Sequence, residues 1–138
     1  MKRLMLLMAA AMFLTGCGII PKLNSSNDPT TAGREKYREV GMDEAIEIME
    51  REQNYIILDV RRPDEFAAGH IPGAINVANE NIGTEEIPEL PDKDQLILVY
   101  CRSGNRSKQA SAKLLELGYT YIVEFGGIID WPGEIVTE

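Results

Sequence analysis

The sequence predicts a single α/β domain of three layers, with a mainly parallel five-stranded sheet flanked by helices. Three observations predict it. Tyr55–Val60 (YIILDV) and Gln95–Tyr100 (QLILVY) are short, unbroken apolar runs, the pattern of strands covered on both faces. Segments with apolar residues at helical spacing alternate with those runs. A length of 138 residues suits one compact domain and leaves little room for two.

Taken in order, Tyr37–Val40 reads as a short edge strand. Gly41 stands at an N-cap with Glu44 at the capping-box position, and Met42, Ala45, Ile46 and Met49 give a helix over Met42–Glu52. After the strand YIILDV, Pro63 suits the first turn of a short helix through Ala68, which Gly69 ends. Ile71–Val77 (IPGAINV) is a turn leading into a strand. The acids from Glu80 to Asp94, punctuated by proline, read as solvated loop surface. QLILVY is the strongest strand signal and runs straight into Cys101. Ser107–Leu117 places Ala110, Leu114 and Leu117 on one helix face, with Gly118 as its stop. Tyr121–Phe125 is a last strand, followed by Gly126-Gly127 and a turn around Trp131. The order β-α-β-α-β-α-β-α-β implies a mainly parallel sheet.

The first residues read as a segment outside the fold. Lys2 and Arg3 precede an 11-residue apolar run, Leu4–Leu14, which is too short for a helix to span a ~30 Å hydrocarbon core. It has the length of a signal-peptide h-region. Leu14-Thr15-Gly16-Cys17 resembles a bacterial lipobox, which implies lipidation of Cys17 and removal of residues 1–16. Residues 17–36, rich in Ser, Thr, Asn, Pro and Gly, read as a lipidated flexible tether. The domain proper would then occupy 37–138, outside the cytoplasm and lipid-anchored to the bacterial cell membrane.

Composition narrows the function. The formal net charge is −8 and no long basic tract exists, so nucleic acid is not an expected partner. Two cysteines, Cys17 and Cys101, and one histidine cannot supply a four-ligand zinc site of cysteine and histidine. Any sulfur chemistry runs on single thiols. Against the acidic background, Arg102, Arg106 and Lys108 form a cationic island where an anion is expected.

Ligands of such sheets bind beyond the carboxyl ends of the strands, which is where Cys101 falls. In Cys101-Arg102-Ser103-Gly104-Asn105-Arg106-Ser107, Gly104 and Asn105 tolerate positive φ, so the backbone can curl and aim N–H groups inward. The positive end of the following helix and the two arginines favour a thiolate or a persulfide anion on Cys101. Ser103 and Ser107 offer hydroxyl donors. Arg102 is expected to point outward, and Arg106 to bond its own loop and Asp59. Asp59 and Arg61 are expected to tie the second strand's end to this loop as support. His70 is expected to fix a turn rather than to serve as a base. Trp131 and Gly126-Gly127 read as packing and turn residues.

CRSGNRS looks like the active-site loop of the rhodanese family. LDVRRPDEF (58–66) and GHIPGAINV (69–77) are similar to that family's two upstream signatures, and GYTYIVEFGGIIDW (118–131) resembles its closing one. The resemblance implies the rhodanese fold with Cys101 as nucleophile, and a single domain, with no partner domain to shape the pocket, is expected to leave the site shallow and open. It implies a thiosulfate-type sulfane-sulfur donor, a thiol or cyanide acceptor, and no metal or organic cofactor. Two other readings share these residues: a module that binds or carries sulfane sulfur without turnover, and a phosphatase of the same fold. Four residues separate Cys101 from Arg106, whereas phosphatases with a cysteine and arginine loop resemble one another in having five. The shorter loop favours sulfur.

Overall fold

The computed structural model describes residues 36–138. The signal peptide expected over 1–16, Cys17, and the tether up to residue 35 lie outside the described residues. Eight elements follow in order: β1 (Arg38–Glu39), α1 (Met42–Arg51), β2 (Tyr55–Asp59), α2 (Pro63–Ala68), β3 (Ile75–Asn76), β4 (Leu96–Cys101), α3 (Asn105–Glu116) and β5 (Ile122–Gly127). Single 3-10 turns occupy Asn79–Asn81 and Ile128–Asp130. The five strands form one sheet in the order β1-β5-β4-β2-β3, and every pairing is parallel. The α/β architecture is the expected one.

Each face of the sheet carries its own apolar layer. Ala45 and Ile48 of α1 and Phe66 of α2 pack with Leu98, Tyr100, Val123 and Phe125. On the opposite face, Ala110 and Leu114 of α3 cover Ile97, Val99, Cys101 and Ile122. All six residues of β4 are buried, which is why that segment shows no alternation in the sequence. Asp43 and Glu44 in the first turn of α1 and Arg51 in the last suit its dipole. α3 ends where Gly118 turns left-handed (φ 94°), letting Tyr119 N–H reach Leu114 O at 3.1 Å.

Three expectations are corrected. Gly41 does cap α1, but Glu44 bonds Arg38 of β1 and makes no capping box. The reciprocal contact occurs at α2, where the Arg62 N–H donates to Glu65 Oε2 at 2.9 Å. Between β3 and β4 the expected alternation yields no α-helix, only the turn Asn79–Asn81. The stretch from Glu80 to Asp94 is not all solvated surface either. Its acids are largely exposed, yet Ile82, Ile87 and Leu90 are 2 %, 5 % and 1 % exposed and join the α3-side core.

Candidate active site

Cys101 is the last residue of β4 and is 1 % exposed. Directly after it the chain leaves the sheet, turns at Gly104 and enters α3. Gly104 has φ 107°, and an added Cβ would make only ordinary contact with Gly126 Cα at 3.4 Å, so it is the conformation that selects glycine. The turn brings Gly104 N–H to 3.0 Å from Cys101 Sγ. Ser107 Oγ lies 3.5 Å from the same sulfur. Burial pushes the Cys101 thiol up, but the Ser107 hydroxyl and the backbone N–H groups of Ser107, Gly104 and Ser103 outweigh it. The net pKa is lowered, as a loop of donors at a helix start requires.

β5 forms the other wall. Val99 pairs with Glu124 and Cys101 with Gly127, so β5 holds one extra residue in a bulge, and Gly126 there has φ 90°. The bulge lets Gly127 press flat against the loop. An added Cβ on Gly127 would fall 1.9 Å from Arg102 O. Ile129 N–H also donates to Arg102 O, at 3.3 Å.

The charged residues divide differently from expectation. Arg106 does not reach Asp59. Its guanidinium makes a two-pronged pair with Glu65 of α2, at 2.7 and 3.1 Å. Arg102, Ser103 and Asn105 are exposed at the mouth, and among the described residues the Arg102 side chain enters no ion pair. Asp59 and Arg61 pair with each other, at 2.7 Å and nearly out of solvent. They serve the fold next to β4 rather than the 101–107 loop. Arg61 donates to Gly69 O at 2.6 Å, and Asn76 bonds the carbonyls of Asp59 and Arg61. Removing one partner of a buried pair of this kind costs ~3–5 kcal/mol, so these residues are support. His70 donates from Nδ1 to Phe66 O at 2.9 Å and stacks on the Phe66 ring, and its backbone bridges to Val136. Its bonds hold a turn.

One residue escaped sequence reasoning. Glu124 of β5 is 2 % exposed, and its Oε1 accepts from the Ser107 hydroxyl at 2.5 Å and from Gly126 N–H at 2.8 Å. The signal was an acid inside the apolar run Ile122–Phe125. A cleft of about 280 Å³ opens beyond β2 and β3, lined by residues including Pro63, Asn76, Asn81, Glu86 and Glu89, and none of residues 101–107 lines it.

A buried, donor-ringed cysteine at the carboxyl edge of a parallel sheet defines an α/β protein with an activated thiol. Residues 42–133 match the rhodanese-like domain, and the chain belongs to that family. It is a sulfurtransferase of the rhodanese type. Thiosulfate sulfurtransferase PspE of Escherichia coli (strain K12) is 37% identical over 73 residues, covering 53% of this chain and 70% of the relative. A protein of Allochromatium vinosum named sulfurtransferase is 40% identical over 80 residues, 57% of this chain and 73% of its own length. Among solved structures, a rhodanese-related protein from Thermoplasma volcanium is 30% identical with a TM-score of 0.61, covering 74% of this chain and 100% of that one.

Proposed function

We propose that Cys101 takes sulfane sulfur from a thiosulfate-type donor and passes it to a thiol or cyanide. The Cys101 thiolate attacks the outer sulfur of thiosulfate, the S–S bond breaks, and sulfite leaves with the bonding pair. Cys101 then carries a persulfide anion. An acceptor thiolate attacks the outer sulfur and returns Cys101 to thiolate, a two-step displacement. One observation carries this reading: Gly104 N–H lies 3.0 Å from a buried sulfur with a lowered pKa. The same donors suit the negative charge of a persulfide on that sulfur. Arg102 and the outward Ser103 and Asn105 stand where an anionic donor would arrive, while Arg106 shapes the loop through Glu65.

Intact mass after thiosulfate treatment tests it. The wild type should gain one sulfur atom, about 32 Da, on Cys101, and cyanide should remove it. Cys101→Ser should gain nothing while keeping its fold. No gain with any sulfane donor would refute sulfur loading, and hydrolysis of an aryl phosphate faster than consumption of thiosulfate would put a phosphatase in its place. A gain that neither cyanide nor a thiol removes would leave a carrier without turnover.

We further propose that the domain works outside the cytoplasm on a lipid anchor at Cys17. The apolar run Leu4–Leu14 followed by Leu14-Thr15-Gly16-Cys17 supports that reading. Two or three acyl chains would hold firmly, since each buried methylene contributes roughly 0.8 kcal/mol. Cys17→Ser should release the protein from membranes or leave an unprocessed precursor. Wild-type protein that is soluble in the cytosol with Met1 retained would rule the anchor out.

A further inference from the structure

Glu124 is buried beside apolar strand residues, and sulfur transfer as described gives it no role. Its geometry gives it one. The Ser107 hydroxyl has a single proton. Three acceptors surround that oxygen, Glu124 Oε1 at 2.5 Å, Gly104 O at 2.9 Å and Gly126 O at 3.3 Å, and the Cys101 thiol donates to it from 3.5 Å. The contact with Glu124 Oε1 is the shortest of the three, so that oxygen holds the proton in preference to the two carbonyls. With its proton on Glu124, Ser107 turns lone pairs toward Cys101 and accepts the S–H. When Cys101 loses its proton to solvent, the sulfur becomes an acceptor. Ser107 must then turn its proton from Glu124 to the sulfur. Glu124 then loses the Ser107 hydrogen bond and keeps only the one from Gly126 N–H.

We propose that Glu124 is a positioning residue that opposes ionisation of Cys101 by holding the Ser107 proton. The loop's N–H groups draw the thiol toward thiolate, and Glu124 limits how far that goes. The titratable groups packed around it are few. Cys101 ends β4. On β1 the register partner of Glu124 is Glu39, which pairs with Lys108 of α3 at 3.6 Å. Tyr37, just before β1, has its pKa raised by burial, then by Glu39, and then by Glu124. None of these supplies a positive charge that bonds the Glu124 carboxylate. The proposal rests on Cys101 being the reactive sulfur of the preceding section, yet it is tested without any sulfur donor.

The test is the pH dependence of Cys101 alkylation by iodoacetamide in the full chain, read by mass on the peptide that bears Cys101. Glu124→Gln should lower the midpoint by about one pH unit, about tenfold more thiolate below both midpoints. In a Ser107→Ala background the same substitution should move it by less than about a third of that, because the link is gone. A folded Glu124→Gln protein with an unmoved or raised midpoint overturns the proposal, and so does an undiminished shift in the Ser107→Ala background. If Glu124→Gln does not fold, Glu124→Asp draws the carboxylate back by one methylene. It should move the midpoint the same way by less, and no movement is refutation. Failure of thiosulfate loading with a normal alkylation midpoint would refute sulfur transfer and leave Glu124 where it is.

Discussion

At the scale of single residues, two glycines that follow Cys101 in the chain, Gly118 and Gly127, do different work, and substitution separates them. Gly127 has ordinary extended dihedrals (φ −139°, ψ 152°), so its identity is set by space alone. A Cβ there meets Arg102 O at 1.9 Å and Ser103 N at 2.5 Å, both backbone atoms that cannot swing away. Gly118 is the reverse case: φ is 94° and nothing lies within 4 Å of an added Cβ. Alanine at Gly118 therefore costs conformational strain of about 1–2 kcal/mol far from the sulfur. Alanine at Gly127 forces β5 and the Cys101 loop apart. Gly118→Ala is expected to lower Tm by several degrees and leave thiosulfate loading of Cys101 within twofold of wild type, about the effect of strain alone. Gly127→Ala is expected to lower loading by at least about a hundredfold, since a misplacement of ~1 Å at a reacting centre has that effect. Loading rates by intact mass, beside thermal melts, decide it. Equal loading by the two variants would mean that the loop does not depend on its contact with β5.

Among elements, α2 and the start of α3 are joined by Glu65 and Arg106, whose side chains are 24% and 30% exposed. Hydrogen bonds from Arg106, the largest cause, hold the Glu65 pKa down at about 2 against the desolvation that would raise it. A depressed carboxylate pKa contributes stability that is complete above the unfolded value of about 4.3 and disappears as pH falls through the folded one. Glu65→Gln is thus expected to destabilise by about 1–2 kcal/mol at pH 7, a partly buried two-pronged pair being stronger than a surface one. The gap from wild type should close between about pH 4.5 and pH 2. Urea midpoints across that range measure it, and a gap independent of pH would mean that the pair is not what stabilises the junction. This pair also shows what the sequence could reveal. β2, β4 and α3 were legible because doubly covered strands and one-sided helices leave local patterns in QLILVY and in Ala110 and Leu114. Cys101 was legible because strand, cysteine, glycine and helix start are contiguous. The partner of Arg106 lies 41 residues away, and no local pattern marks it. The same holds for Ser107 and Glu124, 17 residues apart, and for Ile82, Ile87 and Leu90, buried in an acidic stretch without period.

Across the whole molecule, charge governs how a donor arrives. A chain with a formal net charge of −8 repels a thiosulfate dianion at long range, and repulsion of that kind slows encounter. The cations nearest the sulfur are not equivalent in opposing it. Arg106 is neutralised by Glu65, and Lys108 lies 3.6 Å from Glu39. Arg102 is exposed directly after Cys101 and enters no ion pair among the described residues. Its charge is therefore expected to attract a donor through its field rather than through a fixed contact. Fields of exposed charges are screened over ~30 Å at 0.01 M salt but over only ~3 Å at 1 M. Arg102→Ala is accordingly expected to lower kcat/KM for thiosulfate about five- to tenfold at low ionic strength, with kcat little changed. The deficit should shrink to less than about twofold near 1 M salt, where both the repulsion and the attraction are screened. Steady-state rates over a salt series measure this. A deficit that stays constant with salt would make Arg102 a contact residue for the donor, and a fall in kcat alone would place it at the sulfur-transfer step instead.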